Sequence, residues 1–139
     1  MLANTLNTNE IKDSAGVEVE FTRIKSSGRE TEFAKIGEAP ALPLRLTIKH
    51  VETGNGIKKR RRSVCRFDKT VMSTVDATVP VVVSAYAVLD SPIGALTANT
   101  EPTNVLAYLM SFIASLGATT TILYDGTGNG AKTLLQGDL

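Results

Sequence analysis

At 139 residues, 42% hydrophobic and 21% charged with no tryptophan, the chain has the size and composition of one globular domain spanning 1–139. No apolar run approaches the roughly 18 residues of a membrane-spanning helix, and the opening MLANTLNTNE lacks the basic start and apolar stretch of a signal peptide, so a soluble, unexported chain with no membrane partner is expected. The net charge of +1 hides an uneven distribution, because residues 57–69, IKKRRRSVCRFDK, hold seven of the fifteen Lys and Arg and one of the fourteen acids.

In chain order, VEVEFTRI (17–24) alternates Val17, Val19 and Phe21 with Glu18, Glu20 and Thr22, the period of a half-buried strand. The SSG at 26–28 marks a turn, and ETEFAKIG (30–37) supplies the returning strand, so 1–36 reads as an N-terminal hairpin and first sheet strand. From Leu42 the alternation sharpens. Leu42, Leu44, Leu46 and Ile48 share one face, and Arg45, Thr47 and Lys49 share the other. ETGNG (52–56) predicts a tight hairpin connection. The strand that returns is the basic segment, with Ser63, Cys65 and Phe67 on the apolar side and Arg60, Arg62, Val64 and Arg66 beside Arg45, Thr47 and Lys49. Parity puts Arg61 on the apolar side unless it lies at the strand's exposed end.

After a polar loop over 72–78, VPVVVSAYAVLD (79–90) is rich in β-branched residues and makes a third long strand, completing a main sheet over 42–90. The segment 101–116 then places Val105, Leu109, Phe112 and Leu116 at helical spacing, widened by Leu106 and Ile113, with Thr100 as N-cap and Gly117 as C-cap. Residues 117–139 are rich in Thr and Gly and read as an irregular, more extended segment, with a second short helix left open. The whole is an α+β arrangement of five or more antiparallel strands followed by one amphipathic helix. One helix leaves too much apolar surface open, which calls for an obligate dimer.

Enzyme chemistry finds no assembled residue set. His50 is the single histidine, so no catalytic triad and no metal site is expected, and no cofactor. Cys65, the one cysteine, excludes an internal disulfide, fits a reducing compartment and reads as a small core residue. DGTGNG (125–130) lacks the GK[ST] that a phosphate-cradling loop requires and reads as a flexible connection. The basic strand is different. Phosphates release counterions when Lys and Arg replace them, Arg45 and Lys49 reinforce the stripe, and Tyr86 offers a ring of the kind that stacks on an unpaired base, so a flat sheet of this type suits RNA.

Taken together, RETEFAKIG, LPLRLTIKH, the GNG turn, RRRSVCRFDK, a loop ending in VP, the SAYAVLD strand and the helix TNVLAYLMSFIASLG resemble the coat proteins of small single-stranded RNA bacteriophages, the leviviruses, over most of residues 5–116. The resemblance implies an intertwined dimer in which two five-stranded sheets join into one of ten strands while each C-terminal helix covers the partner. Val105, Leu109, Phe112, Ile113 and Leu116 would serve that contact. It further implies a T=3 icosahedral shell assembled in the bacterial cytoplasm, whose inner face holds genomic RNA and, in many relatives, an RNA hairpin tied to translational repression. Carried over by strand position, Thr47, Lys49, Arg62, Val64, Arg66, Ser84, Tyr86 and Val88 would form that face, with Arg45 beside them and phosphate contacts mainly from Lys49, Arg60, Arg62 and Arg66. Met72, Ser73, Thr74, Val75, Asp76, Ala77 and Thr78 would form the loop between dimers. A free-standing dimeric RNA-binding regulator would use the same surface.

Overall fold

The computed structural model describes residues 2–118 and 121–137. The chain divides into two compact units, one of Met1–Ile11 with Val19–Thr97 and the other of Lys12–Glu18 with Ala98–Leu139. The first unit is a single antiparallel sheet in which chain order and spatial order coincide: β1 (Thr5–Leu6), β2 (Phe21–Ser27), β3 (Glu30–Lys35), β4 (Leu44–Thr53), β5 (Arg60–Met72) and β6 (Pro80–Ser91). The sheet therefore has six strands where five were expected, the addition being the two-residue β1, which pairs Leu6 with Phe21.

Its core lies on one side of the meander. Leu6, Phe21, Phe33 and Leu46 are buried, with Ile11, Val19, Leu44, Ile48 and Phe67 packed against them. Register explains the grouping, since Phe33 sits opposite Leu46 and Leu46 opposite Phe67, and cross-strand neighbours share a face. The Phe21 and Phe67 rings meet edge to face with centroids 6.0 Å apart, a favoured aromatic geometry. The pairing of Ile48 with Cys65 and His50 with Ser63 continues this face along β5. Cys65, expected to be packed as a small core residue, is exposed in the single chain. On the same face beyond Phe67, Val83 opposite Lys69 is 61% exposed, and Ala85 and Ala87 are exposed too.

Some expected boundaries shift. The first long strand begins at Phe21 rather than at residue 17, because Asp13 Oδ1 accepts the N–H groups of Ala15 and Val17 and closes a turn there. That turn leaves Val17 exposed. The connection after β4 is longer than a tight hairpin, running through residues 54–59 with one 3-10 turn at Gly56–Lys58. Gly54 makes the bend possible: its φ is +78°, and a Cβ would fall 2.6 Å from the Lys58 carbonyl oxygen. Pro80 heads β6, where an edge strand tolerates its missing donor.

The second unit contains α1 (Thr100–Ala114) and α2 (Asn129–Gln136). Thr100 is the first helical residue and Asn99 the N-cap, and the helix ends at Ala114 rather than 116 because Ser115 turns extended and bridges to Ile122. Gly117, expected as the cap, lies two residues past the Ser115 C-cap with φ +88°. The second helix corrects the expectation of an irregular tail and a flexible glycine loop. A Cβ on Gly130 would lie 2.3 Å from the Phe112 carbonyl oxygen, so these glycines exist for close backbone approach between helices. Replacing Gly130 with alanine should detach α2 and lower stability by about 1–3 kcal/mol, read as a drop in the thermal unfolding midpoint; an unchanged midpoint would refute the contact.

Candidate nucleic-acid interface

The opposite face of the sheet carries the basic residues, and the register fixes their arrangement. Across β4 and β5, Arg45 faces Asp68, Thr47 faces Arg66, Lys49 faces Val64, Val51 faces Arg62 and Thr53 faces Arg60. Across β5 and β6, Asp68 faces Ser84, Arg66 faces Tyr86, Val64 faces Val88 and Arg62 faces Asp90. All ten residues expected to touch RNA (Arg45, Thr47, Lys49, Arg60, Arg62, Val64, Arg66, Ser84, Tyr86 and Val88) therefore stand on one side of three adjacent strands. Tyr86 is 68% exposed, which leaves its ring accessible for stacking.

The surface is not bare cation. The register brings Glu30 opposite Lys49 and Glu32 opposite Thr47, and carboxylates alternate with the bases. Lys49 Nζ lies 3.1 Å from Glu30, Arg60 Nε donates to Asp90 at 2.9 Å, and Arg66 Nε donates to Asp68 at 2.9 Å. Arg45 pairs with both Glu32 and Glu38. Arg66 also donates to Ser84 Oγ at 3.3 Å, and the Ser84 hydroxyl donates in turn to Asp68. Hydrogen bonds from Arg66 and then Ser84 hold the Asp68 carboxyl below its usual range, and Lys49 does the same for Glu30. Arg62 is exposed and makes no ion pair among the described residues. Glu30 and Glu32 lie on β3 and Asp90 near the end of β6, away from the basic segment in sequence, whereas Asp68 lies within it, where the Arg66-Phe67-Asp68 spacing is the available signal.

Arg61 does lie on the apolar side, and its charge is met there. Glu52 opposite it accepts from Arg61 at 3.0 Å and pairs also with Lys59 and Arg29. With Lys59 and Arg61 as hydrogen-bond donors, the Glu52 pKa is pushed down to about 2. His50 Nδ1 lies 2.8 Å from Ser63 Oγ.

Loop residues 73–79 bond to themselves. Ser73 N–H donates to the Val79 carbonyl at 2.8 Å, Ser73 Oγ accepts from Val75 and Asp76 N–H, and Asp76 accepts from Thr78. Its neighbour Met72 belongs to β5, and Val75 at the tip is 96% exposed. On α1, Val105, Leu109 and Phe112 are exposed, Ile113 lines an apolar hollow with Met110, Leu123 and Tyr124, and Leu116 lies past the helix end. Among the described residues no group of His, Cys, Asp and Glu could hold a metal ion, and no helix is long and apolar enough to cross a membrane.

No protein-family model matches the chain, and no curated protein sequence does. Solved structures do. The coat protein of bacteriophage EMS014 is 17% identical and superposes with a TM-score of 0.66, covering 86% of each chain. A virus-like particle of bacteriophage AVE019 matches at 10% identity and TM-score 0.61 over 97% of this chain and 93% of that one. The protein capsid of bacteriophage GA matches at 16% identity and TM-score 0.52 over 87% and 85%. The chain thus has the levivirus-like coat-protein fold that its order of elements resembles.

Proposed function

We propose that this chain is the capsid subunit of a small single-stranded RNA phage, a structural protein and not an enzyme, that pairs into dimers, closes into a shell and holds RNA on the face bearing Arg62 and Tyr86. The observation that carries the proposal is the coat-protein fold matched over 86% of the chain, on which the register gathers Thr47, Lys49, Arg62, Arg66, Ser84 and Tyr86 on one side of the sheet.

Two further observations favour the dimer. Strand β6 is twelve residues long and forms the outer edge of the sheet, with Val82 and Val83 more than half exposed. A long apolar edge of this kind is a template for another strand, and a second copy's β6 would extend the sheet across the pair. The apolar face of α1 is also open, and the sheet beyond Phe67 offers apolar surface of matching character. The self-bonded loop 73–79 presents Val75 for contacts between dimers, and the particle is assembled in the host cytoplasm around genomic RNA. Recognition of a hairpin and translational repression would be finer uses of the same face.

The test is expression alone, followed by electron microscopy and nucleic-acid extraction. Closed particles of uniform diameter containing RNA are expected; discrete dimers that bind RNA without closing would support a free-standing regulator. Arg62→Ala is expected to lower the dependence of log affinity on log salt by about one phosphate contact. Arg66→Ala should change it less, because Asp68 already counters that charge. Equal slopes for wild type and Arg62→Ala would remove the face from consideration.

A further inference from the structure

A hollow of about 550 Å³ opens on the core side of the first unit, away from the RNA face, at the β2–β3 turn. Arg23, Arg29, His50, Thr31 and Ser26 line it over a floor that includes Ile48. Arg23 is fixed: its guanidinium carbon stands 5.4 Å over the Phe33 ring, and Nη2 donates to the Leu2 carbonyl at 2.6 Å. Its Nε is buried and has no hydrogen-bond partner among the described residues. A buried charged donor without an acceptor costs free energy that an incoming oxygen would recover.

The surroundings hold surplus positive charge. Arg29, Lys59 and Arg61 all lean on the single carboxylate of Glu52, and Arg23 bonds only to neutral carbonyls among the described residues. The depressed titration of Glu52 reports the same positive field. The two units differ in sign as well, the sheet unit holding thirteen basic and nine acidic residues and the helical unit two basic and five acidic.

Within the helical unit the acids are not equally available. Asp13 and Asp125 are consumed in turns, by Ala15 and Val17 and by Thr127. Glu101 is exposed in the first turn of α1 and makes no hydrogen bond or ion pair among the described residues. It also shares a helical face with Val105, Tyr108 and Phe112, all exposed apolar residues at spacings of four, seven and eleven.

We infer that the hollow lined by Arg23 and Arg29 is a carboxylate socket, completed by Glu101 of a second copy whose α1 seats its apolar face on this side of the sheet. The inference rests on the proposed self-assembly and adds the charge contact that fixes the helix in register. Arg29→Lys keeps the charge and introduces an amine that zero-length carbodiimide coupling can join to a carboxylate. The expected product has twice the chain mass on a denaturing gel and, by mass spectrometry, links position 29 to Glu101. Adding Glu101→Gln should abolish that product. Linkage only to Glu52 of the same chain, to a different acid, or none at all in a protein that light scattering shows to be dimeric would overturn the socket alone. A monomer by light scattering would instead overturn the assembly beneath it.

Discussion

Phe112→Ala is expected to eliminate dimers and particles, although the ring contributes little to the fold of an isolated chain. Phe112 is 59% exposed, and the only buried residue of its helix is Ala114. Truncating a ring already open to water removes little packing, and an exposed substitution typically shifts stability by no more than about 0.5 kcal/mol. A ring seated on a second copy behaves otherwise, because truncating a central interface anchor costs about 2 kcal/mol or more. With two such sites per dimer, association should weaken by several orders of magnitude. Light scattering after size exclusion reads the outcome, and dimers persisting at wild-type concentration would show that this face is not the interface. Had the helix been buried within its own chain, as a self-sufficient domain requires, the same substitution would have appeared as lost folding stability.

Phe33→Ala should have the opposite character. Its side chain is fully buried between Leu46 across β4 and the guanidinium of Arg23. Removing a buried phenyl ring costs about 3–5 kcal/mol, through lost transfer free energy and the cavity left behind. Among the described residues the buried cluster of the sheet is small, formed by Leu6, Phe21, Phe33 and Leu46, so that loss is a large share of the 5–15 kcal/mol typical of a domain. The variant is expected in the insoluble fraction. Phe33→Leu, which retains much of the volume, should remain soluble with a smaller drop in the urea midpoint. A soluble Phe33→Ala with an unchanged midpoint would show that the core lies elsewhere.

The sheet was legible in the sequence because strand parity is a strict rule. Once Leu44, Leu46 and Ile48 were assigned inward, Thr47, Lys49, Arg62 and Arg66 had to face outward, and the register bears this out residue by residue. The second helix was hidden by Gly128 and Gly130, whose poor helix propensity masked their use in bringing α2 against the backbone of α1. The electrostatics were hidden for a different reason. Counting along the chain isolates a run of cations, whereas pairing across strands brings Glu30, Glu32 and Asp90 among them, and partners that distant in sequence follow only from the register.

That alternation has a consequence for the proposed shell. On the face, Lys25, Arg45, Lys49, Arg60, Arg62 and Arg66 stand among Glu30, Glu32, Glu38, Asp68 and Asp90, so copies lining a closed interior would repel one another only weakly. Closure would then need no nucleic acid to neutralise the lining, and hollow shells should hold together as firmly as filled ones.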